Sequence, residues 1–139
     1  MTSQEVLVPL LLTLKVALWA TFMATILGVA MGWILARSRF PGREIVDAAM
    51  TLPMVMPPTV LGYYLLVLLG RRGAIGGWLE SNFGITLVFT WQGAVIAAAV
   101  VALPLVYKAA RAAFEGVESQ FEEAARVLAR FIPNSAVEK

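Results

Sequence analysis

Three long apolar runs divide the chain, and none contains a charged residue: Val16–Ala36, Ala48–Gly70 and Ser81–Tyr107. A helix needs about 20 residues to cross the hydrocarbon core of a bilayer, and each run reaches that length. We therefore predict an all-α, polytopic membrane protein with helices over about 9–36, 45–69 and 87–114. The alternative, three buried helices of a soluble domain, would leave too little of the chain to cover them.

After the third run the pattern changes to a charged, amphipathic segment. Its apolar residues recur at helical spacing and form one stripe, which consists of Val117, Phe121, Ala124, Ala125 and Leu128. Ser119 followed by Glu122 matches a capping box, and Gly116 is a suitable end for the preceding helix. We predict a separate short helix over about 120–130. So short a helix is marginal alone in water, so its stripe needs a partner.

Small residues recur at every fourth position of the first run, as Ala20, Ala24, Gly28, Gly32 and Ala36. Apolar side chains gain little by leaving lipid, so such a ridge indicates close contact between helix backbones. We expect helix packing at Ala24, Gly28 and Gly32. The pattern leaves open whether the second helix belongs to this chain or to another subunit.

The second run contains three prolines within six residues, between Thr51 and Thr59. Each proline removes a backbone amide, so the run predicts a broken helix. Irregular backbone inside a membrane is tolerated where it packs against protein or lines a water-filled cavity. Two interpretations therefore stay open: a structural kink or re-entrant corner, and a broken helix beside a solute path. The candidate path residues are Thr51, Pro53, Pro57, Pro58, Thr59 and Tyr63.

Composition supports the membrane assignment and excludes several kinds of chemistry. Of the 139 residues, 60% are hydrophobic and 14% charged, against about a quarter charged in soluble domains. The sequence has no cysteine and no histidine, which excludes thiol chemistry and the commonest general base and metal ligand. It also lacks a glycine-rich phosphate-binding loop. We expect a non-catalytic chain that has no cofactor, no metal and no nucleic-acid partner.

The placement of the positive charges predicts an orientation. Eight of the 11 lysines and arginines lie in the first interhelical loop or after the third run. The other three are Lys15, Arg71 and Arg72. By the positive-inside rule, the first loop and the C-terminal segment lie in the cytoplasm, and the N-terminus lies outside.

Glu123-Ala124-Ala125, which follows a membrane span, resembles the EAA signature in the permease subunits of bacterial binding-protein-dependent ABC importers. Other stretches resemble the molybdate permeases within that family, and the resemblance extends from Thr13 to about Leu128. These stretches are Phe40–Arg43, Leu52–Pro58 with Gly62 and Tyr63, Gly70–Gly76, and Phe83–Thr86 leading to Gly93–Val95.

The resemblance implies a homodimeric channel in the bacterial inner membrane. It also implies two copies of an ABC ATPase on the cytoplasmic side and an oxyanion-binding protein on the periplasmic side. In the family the EAA helix is the coupling helix, which fits a groove on the ATPase. Carried over by position, the coupling residues are Ser119, Glu122, Glu123, Ala124, Ala125, Arg126 and Ala129. Alanine at position 129 replaces the glycine that the family usually has.

The tail Arg130–Lys139 resembles nothing in the family. This predicts a C-terminally truncated permease, in which residues 1–139 form part of a transmembrane domain. Three hypotheses follow. The chain belongs to a molybdate permease, to a sulfate or tungstate permease of the same family, or to a truncated membrane protein that binds partners without transporting.

Overall fold

The computed structural model describes residues 2–132, which fold into five helices. They are α1 (Ser3–Arg37), α2 (Arg43–Val55), α3 (Pro58–Leu69), α4 (Ala74–Phe83) and α5 (Trp91–Phe131). The predicted all-α class is confirmed, since residues 2–132 contain no strand. The tail after Ile132, with Lys139 and the predicted truncation, lies outside the described residues.

Helices α1 and α5 lie side by side and run in the same direction. Midway along α1 and near the start of α5, Ala20 packs with Val95 and Ala99. Further along both helices, Gly32 lies against Ala110. Because α1 ends at one end of this pair and α5 begins at the other, residues 38–90 return along its length.

The two helices approach most closely at the glycines of α1. A Cβ atom on Gly28 would lie 2.8 Å from Val106 Cγ1, and one on Gly32 would lie 2.9 Å from Ala110 Cβ. Ala24 is fully buried in the same seam. The small-residue ridge therefore faces α5 of the same chain, at distances that leave no room for a side chain.

The outward faces are apolar and uncovered, as a lipid environment requires. Large side chains such as Leu11, Leu18, Phe22 and Ile26 are more than half exposed on α1. Among the described residues, α1 and α5 are long and apolar enough to span a membrane. The direction of the chain changes by 112° between the segments Arg43–Val55 and Pro58–Phe83, and these add a third crossing if they form one bent span. The protein is therefore a polytopic membrane protein.

The helix predicted over 45–69 consists of two helices. The last regular bond of α2 runs from the Met56 amide to the Leu52 carbonyl, at 3.1 Å. Pro57 and Pro58 follow, and because neither has an amide hydrogen, the hydrogen-bond ladder cannot continue through them. Pro53 lies inside α2 and does not end it.

The predicted boundary at Gly116 is wrong, because α5 continues through it to Phe131. Gly116 does not adopt a positive φ, and the Ser119 hydroxyl donates to the Gly116 carbonyl at 2.9 Å instead of capping a new helix. A glycine costs a helix about 1 kcal/mol, which is too little to break one that is continuous on both sides. The third span and the predicted helix over 120–130 are therefore one helix.

The predicted start of the first helix at about Pro9 is also wrong, because α1 begins at Ser3. The Glu5 carboxylate accepts the Thr2 amide at 3.2 Å, as in half of a capping box. Pro9 removes one amide close to the N-terminus and leaves the helix intact.

Replacement of Gly32 tests the seam between α1 and α5. Gly32→Val should lower the free energy of unfolding by about 1–3 kcal/mol, because the added atoms meet Ala110 and the Arg111 backbone. Gly116→Val is the matched control, since a Cβ there meets nothing within 4 Å. Thermal unfolding in detergent, followed by circular dichroism, measures both variants. Equal melting temperatures would contradict the seam.

Candidate functional site

The first candidate site is the C-terminal segment, residues 118–130 of α5. Every residue in it is exposed. Gly32 lies against Ala110, and α1 ends five residues later at Arg37, about level with Glu115. The C-terminal segment therefore extends past the end of the helix on which the rest of α5 packs.

The apolar stripe continues the face of α5 that contacts α1. Positions seven or eleven residues apart return to the same face of an α-helix, which aligns Ala110 with Val117 and Phe121. Phe121 is 73% exposed and Leu128 is 62% exposed. Within residues 2–132 nothing covers this part of the face, so it is an apolar surface at the end of a helix.

The polar residues predicted for this segment are also exposed, and they are not linked to each other. Helical spacing places Glu123 on the side of the helix away from the stripe, and Ala129 is exposed near the end of the segment. In the described part of the chain, Glu122, Glu123 and Arg126 form no ion pair. Glu122 and Arg126 are four residues apart, a spacing that favours an ion pair on a helix, but within residues 2–132 their side chains do not pair.

The second candidate site is the break between α2 and α3. An apolar groove of about 420 Å³ lies beside it. Its lining includes Pro53 of α2, Met56 and Pro58 at the break, and Val101 and Leu105 of α5. Only two of the six candidate path residues line this groove. Pro53 and Pro58 line the groove, whereas Thr51, Pro57, Thr59 and Tyr63 do not. The Thr51 hydroxyl donates to the Asp47 carbonyl at 2.6 Å, which satisfies it within α2.

A third feature was missed in the sequence: a polar junction of Arg43 and Asp47 on α2 with Tyr107, Arg111 and Glu115 on α5. Asp47 Oδ1 accepts from the Tyr107 hydroxyl at 2.6 Å and from Arg111 Nη1 at 2.5 Å. Arg111 Nε donates to Glu115 Oε1 at 2.9 Å, and Arg43 Nη2 donates to the same oxygen at 3.0 Å. Arg111 thus bonds one carboxylate on each helix.

Burial within the polar junction is graded. Tyr107 is fully buried, whereas the side chains of Arg111 and Asp47 are 25% and 39% exposed. The Arg43 and Glu115 side chains are 27% and 45% exposed. The junction therefore contains one fully buried residue, Tyr107, and four charged side chains that are partly exposed.

Helical spacing gave a signal for the junction. Arg43 and Asp47 are four residues apart, as are Tyr107, Arg111 and Glu115, so each set shares one helix face. Opposite charges therefore face each other across the two helices.

The long apolar helices α1 and α5, together with the bent pair formed by Arg43–Val55 and Pro58–Phe83, define a polytopic, all-α membrane protein. The family described as binding-protein-dependent transport system inner membrane component matches residues 24–129, and the chain belongs to this family. This match includes the small-residue seam, the break and nearly all of the C-terminal segment.

Individual relatives are similar over most of the chain. It is 49% identical to the molybdenum transport system permease protein ModB of Escherichia coli K12 over 118 residues, which are 85% of this chain and 52% of that protein. The ModB protein of Haemophilus influenzae is 42% identical over 117 residues, 84% of this chain and 51% of that protein. The sulfate transport system permease protein CysT of E. coli K12 is 36% identical over 127 residues, 91% of this chain and 46% of that protein. The chain thus spans about half the length of these curated relatives.

Proposed function

We propose that this chain forms part of the permease of an ABC importer for molybdate. The observation that carries the proposal is its similarity to permeases named for molybdenum transport, at 49% and 42% identity. The similarity to a sulfate permease, at 36%, makes sulfate the second candidate, and tungstate resembles both as a tetrahedral dianion. On this proposal the chain is a non-catalytic subunit, and residues 1–139 are part of a transmembrane domain.

The C-terminal segment supports the coupling part of this proposal. Its stripe is apolar and exposed at the end of a helix, so a partner that covered it would remove apolar area from water. An ATPase groove is such a partner. The proposed contact residues are Ser119, Glu122, Glu123, Ala124, Ala125, Arg126 and Ala129, together with the stripe.

The same proposal includes an orientation and an assembly. The first loop and the C-terminal segment lie in the cytoplasm by the positive-inside rule, and the parallel course of α1 and α5 agrees with both crossing in one direction. Two permease chains would form the channel, with two ATPase subunits below and an oxyanion-binding protein above. The break at Met56 and Pro57, with Thr51, Thr59 and Tyr63 close in sequence, would lie beside the path.

Truncation of Phe121 tests the coupling contact. Burial of a phenylalanine is worth about 1.5–3 kcal/mol, so Phe121→Ala should weaken binding of the cognate ATPase by about tenfold or more. Val127→Ala is the matched control, because Val127 is exposed on the same segment but lies off the stripe. Co-purification of the full chain with the ATPase, followed by titration, measures both. Equal binding by the two variants would contradict docking through the stripe.

Competition between anions tests the substrate. In proteoliposomes that contain the assembled importer and its binding protein, ATP-dependent uptake of labelled molybdate should be abolished by excess unlabelled molybdate. An equal concentration of sulfate should leave most of the uptake. If sulfate competes as well as molybdate does, the sulfate hypothesis replaces this one. Absence of any ATP-dependent anion uptake would reject the transport proposal.

A further inference from the structure

Helix α2 is attached to α5 by charged hydrogen bonds together with limited apolar packing. None of the residues of α2, all of which the structure describes, is buried. Four of its large apolar side chains, Ile45, Leu52, Met54 and Val55, are more than half exposed, whereas Val46 and Met50 are partly buried. Within the described chain, Arg43 and Asp47 form the long-range hydrogen bonds of α2. Arg43 donates to Glu115, and Asp47 accepts from Tyr107 and Arg111, all of which lie on α5.

The part of α5 that receives these bonds is fixed on its other side by α1. A Cβ on Gly28 would lie 3.0 Å from the Tyr107 amide nitrogen, and one on Gly32 would lie 3.0 Å from that of Arg111. Tyr107 and Arg111 are therefore held between the backbone of α1 and the carboxylate of Asp47. Neither residue can shift far without disturbing both neighbouring helices.

Position along the chain places the polar junction between the two other candidate sites. At 1.5 Å per residue, Arg111 lies about 15 Å along α5 from Phe121 of the stripe. Asp47 lies about 12 Å along α2 from Val55, where the break begins. Each connection is a continuous helix, so the junction is the bonded link between the helix that carries the stripe and the helix that leads to the break.

We propose that the polar junction is a rigid joint that transmits movement of the C-terminal segment to the broken span. Asp47, Tyr107 and Arg111 are positioning residues in this scheme, since they act through α2 and touch no substrate. The proposal rests on the proposed function, in which an ATPase moves that segment. Arg111 is suited to the role because its planar fork bonds two carboxylates at fixed angles, which a lysine cannot reproduce.

The first experiment measures rigidity without any transport assay. The sequence contains no cysteine, so Ile45→Cys and Val127→Cys give two unique sites for spin labels on α2 and α5. In the full chain we expect one narrow distance distribution. Asp47→Asn, which keeps the size of the side chain and removes its charge, should increase the width of this distance distribution at least twofold. Asp47→Glu, which keeps the charge, should give a distribution as narrow as that of the chain with Asp47.

Glu44→Gln is the matched control for Asp47→Asn. Glu44 is exposed on the same helix and forms no hydrogen bond or ion pair among the described residues, so its variant should keep the narrow distribution. A broad distribution in the unsubstituted chain would overturn the joint. So would an Asp47→Asn distribution as narrow as that of the control.

The second experiment separates a joint from a contact that only stabilises the fold. In the assembled importer, Asp47→Asn should retain ATP hydrolysis but lower the number of anions imported per ATP about fivefold or more. Arg111→Lys should give an intermediate ratio. Parallel loss of hydrolysis and uptake, or poorer assembly with an unchanged ratio, would show a merely structural role and overturn the joint.

The two experiments fail independently. If the unsubstituted importer hydrolyses ATP without importing any anion, the proposed function fails, while the label distances still decide whether α2 and α5 form one body. If uptake is normal and the ratio is unaffected by Asp47→Asn, the proposed function stands and the joint is rejected.

Discussion

The rest of the structure depends on the close contact between α1 and α5 at Gly28 and Gly32. Lipid provides almost no hydrophobic drive for helices to associate, so the contact relies on backbones that approach until their atoms touch. A side chain at either glycine would collide with α5. The contact fixes α5 along the length of α1, and it thereby determines which residues of α5 project beyond the end of its partner.

Two different kinds of contact then build the molecule outward from this pair. The seam between α1 and α5 is apolar and continuous from Ala20 to Gly32, whereas the contact between α2 and α5 includes the polar junction. Partly exposed ion pairs contribute little to stability individually. Their directional bonds nevertheless specify one position of α2, because Arg111 must satisfy Asp47 and Glu115 together.

The sequence contained most of the fold, because its strongest signals are local. Long charge-free runs that cross a membrane form helices, and small residues at every fourth position lie on one helix face. Pro57 and Pro58 have no amide hydrogen, so the helical hydrogen bonds stop there. The predicted helix end at Gly116 was wrong because it rested only on the low helix propensity of glycine. A helix that is continuous on both sides absorbs that small penalty. The polar junction was missed for a related reason: it joins residues about sixty positions apart, and no local pattern shows which helix faces meet.

The continuity of α5 changes what the C-terminal segment is. As a separate short helix it would need a partner to fold at all, since an isolated helix of that length is marginal. As the end of a helix that runs from Trp91 to Phe131, it is already folded and already aimed. A partner that covers the apolar stripe therefore does not have to offset the conformational entropy cost of folding that segment. Any displacement the partner causes is passed along a helix that is anchored at Tyr107 and Arg111, one or two turns before α1 ends. Helix α2, which receives the bonds of Tyr107 and Arg111, ends at Met56 and Pro57, where the direction of the chain changes by 112°. Helices and hydrogen bonds thus connect the exposed stripe with the break. If the polar junction is the rigid joint proposed above, movement of the stripe changes the relation between α2 and α3 at that point.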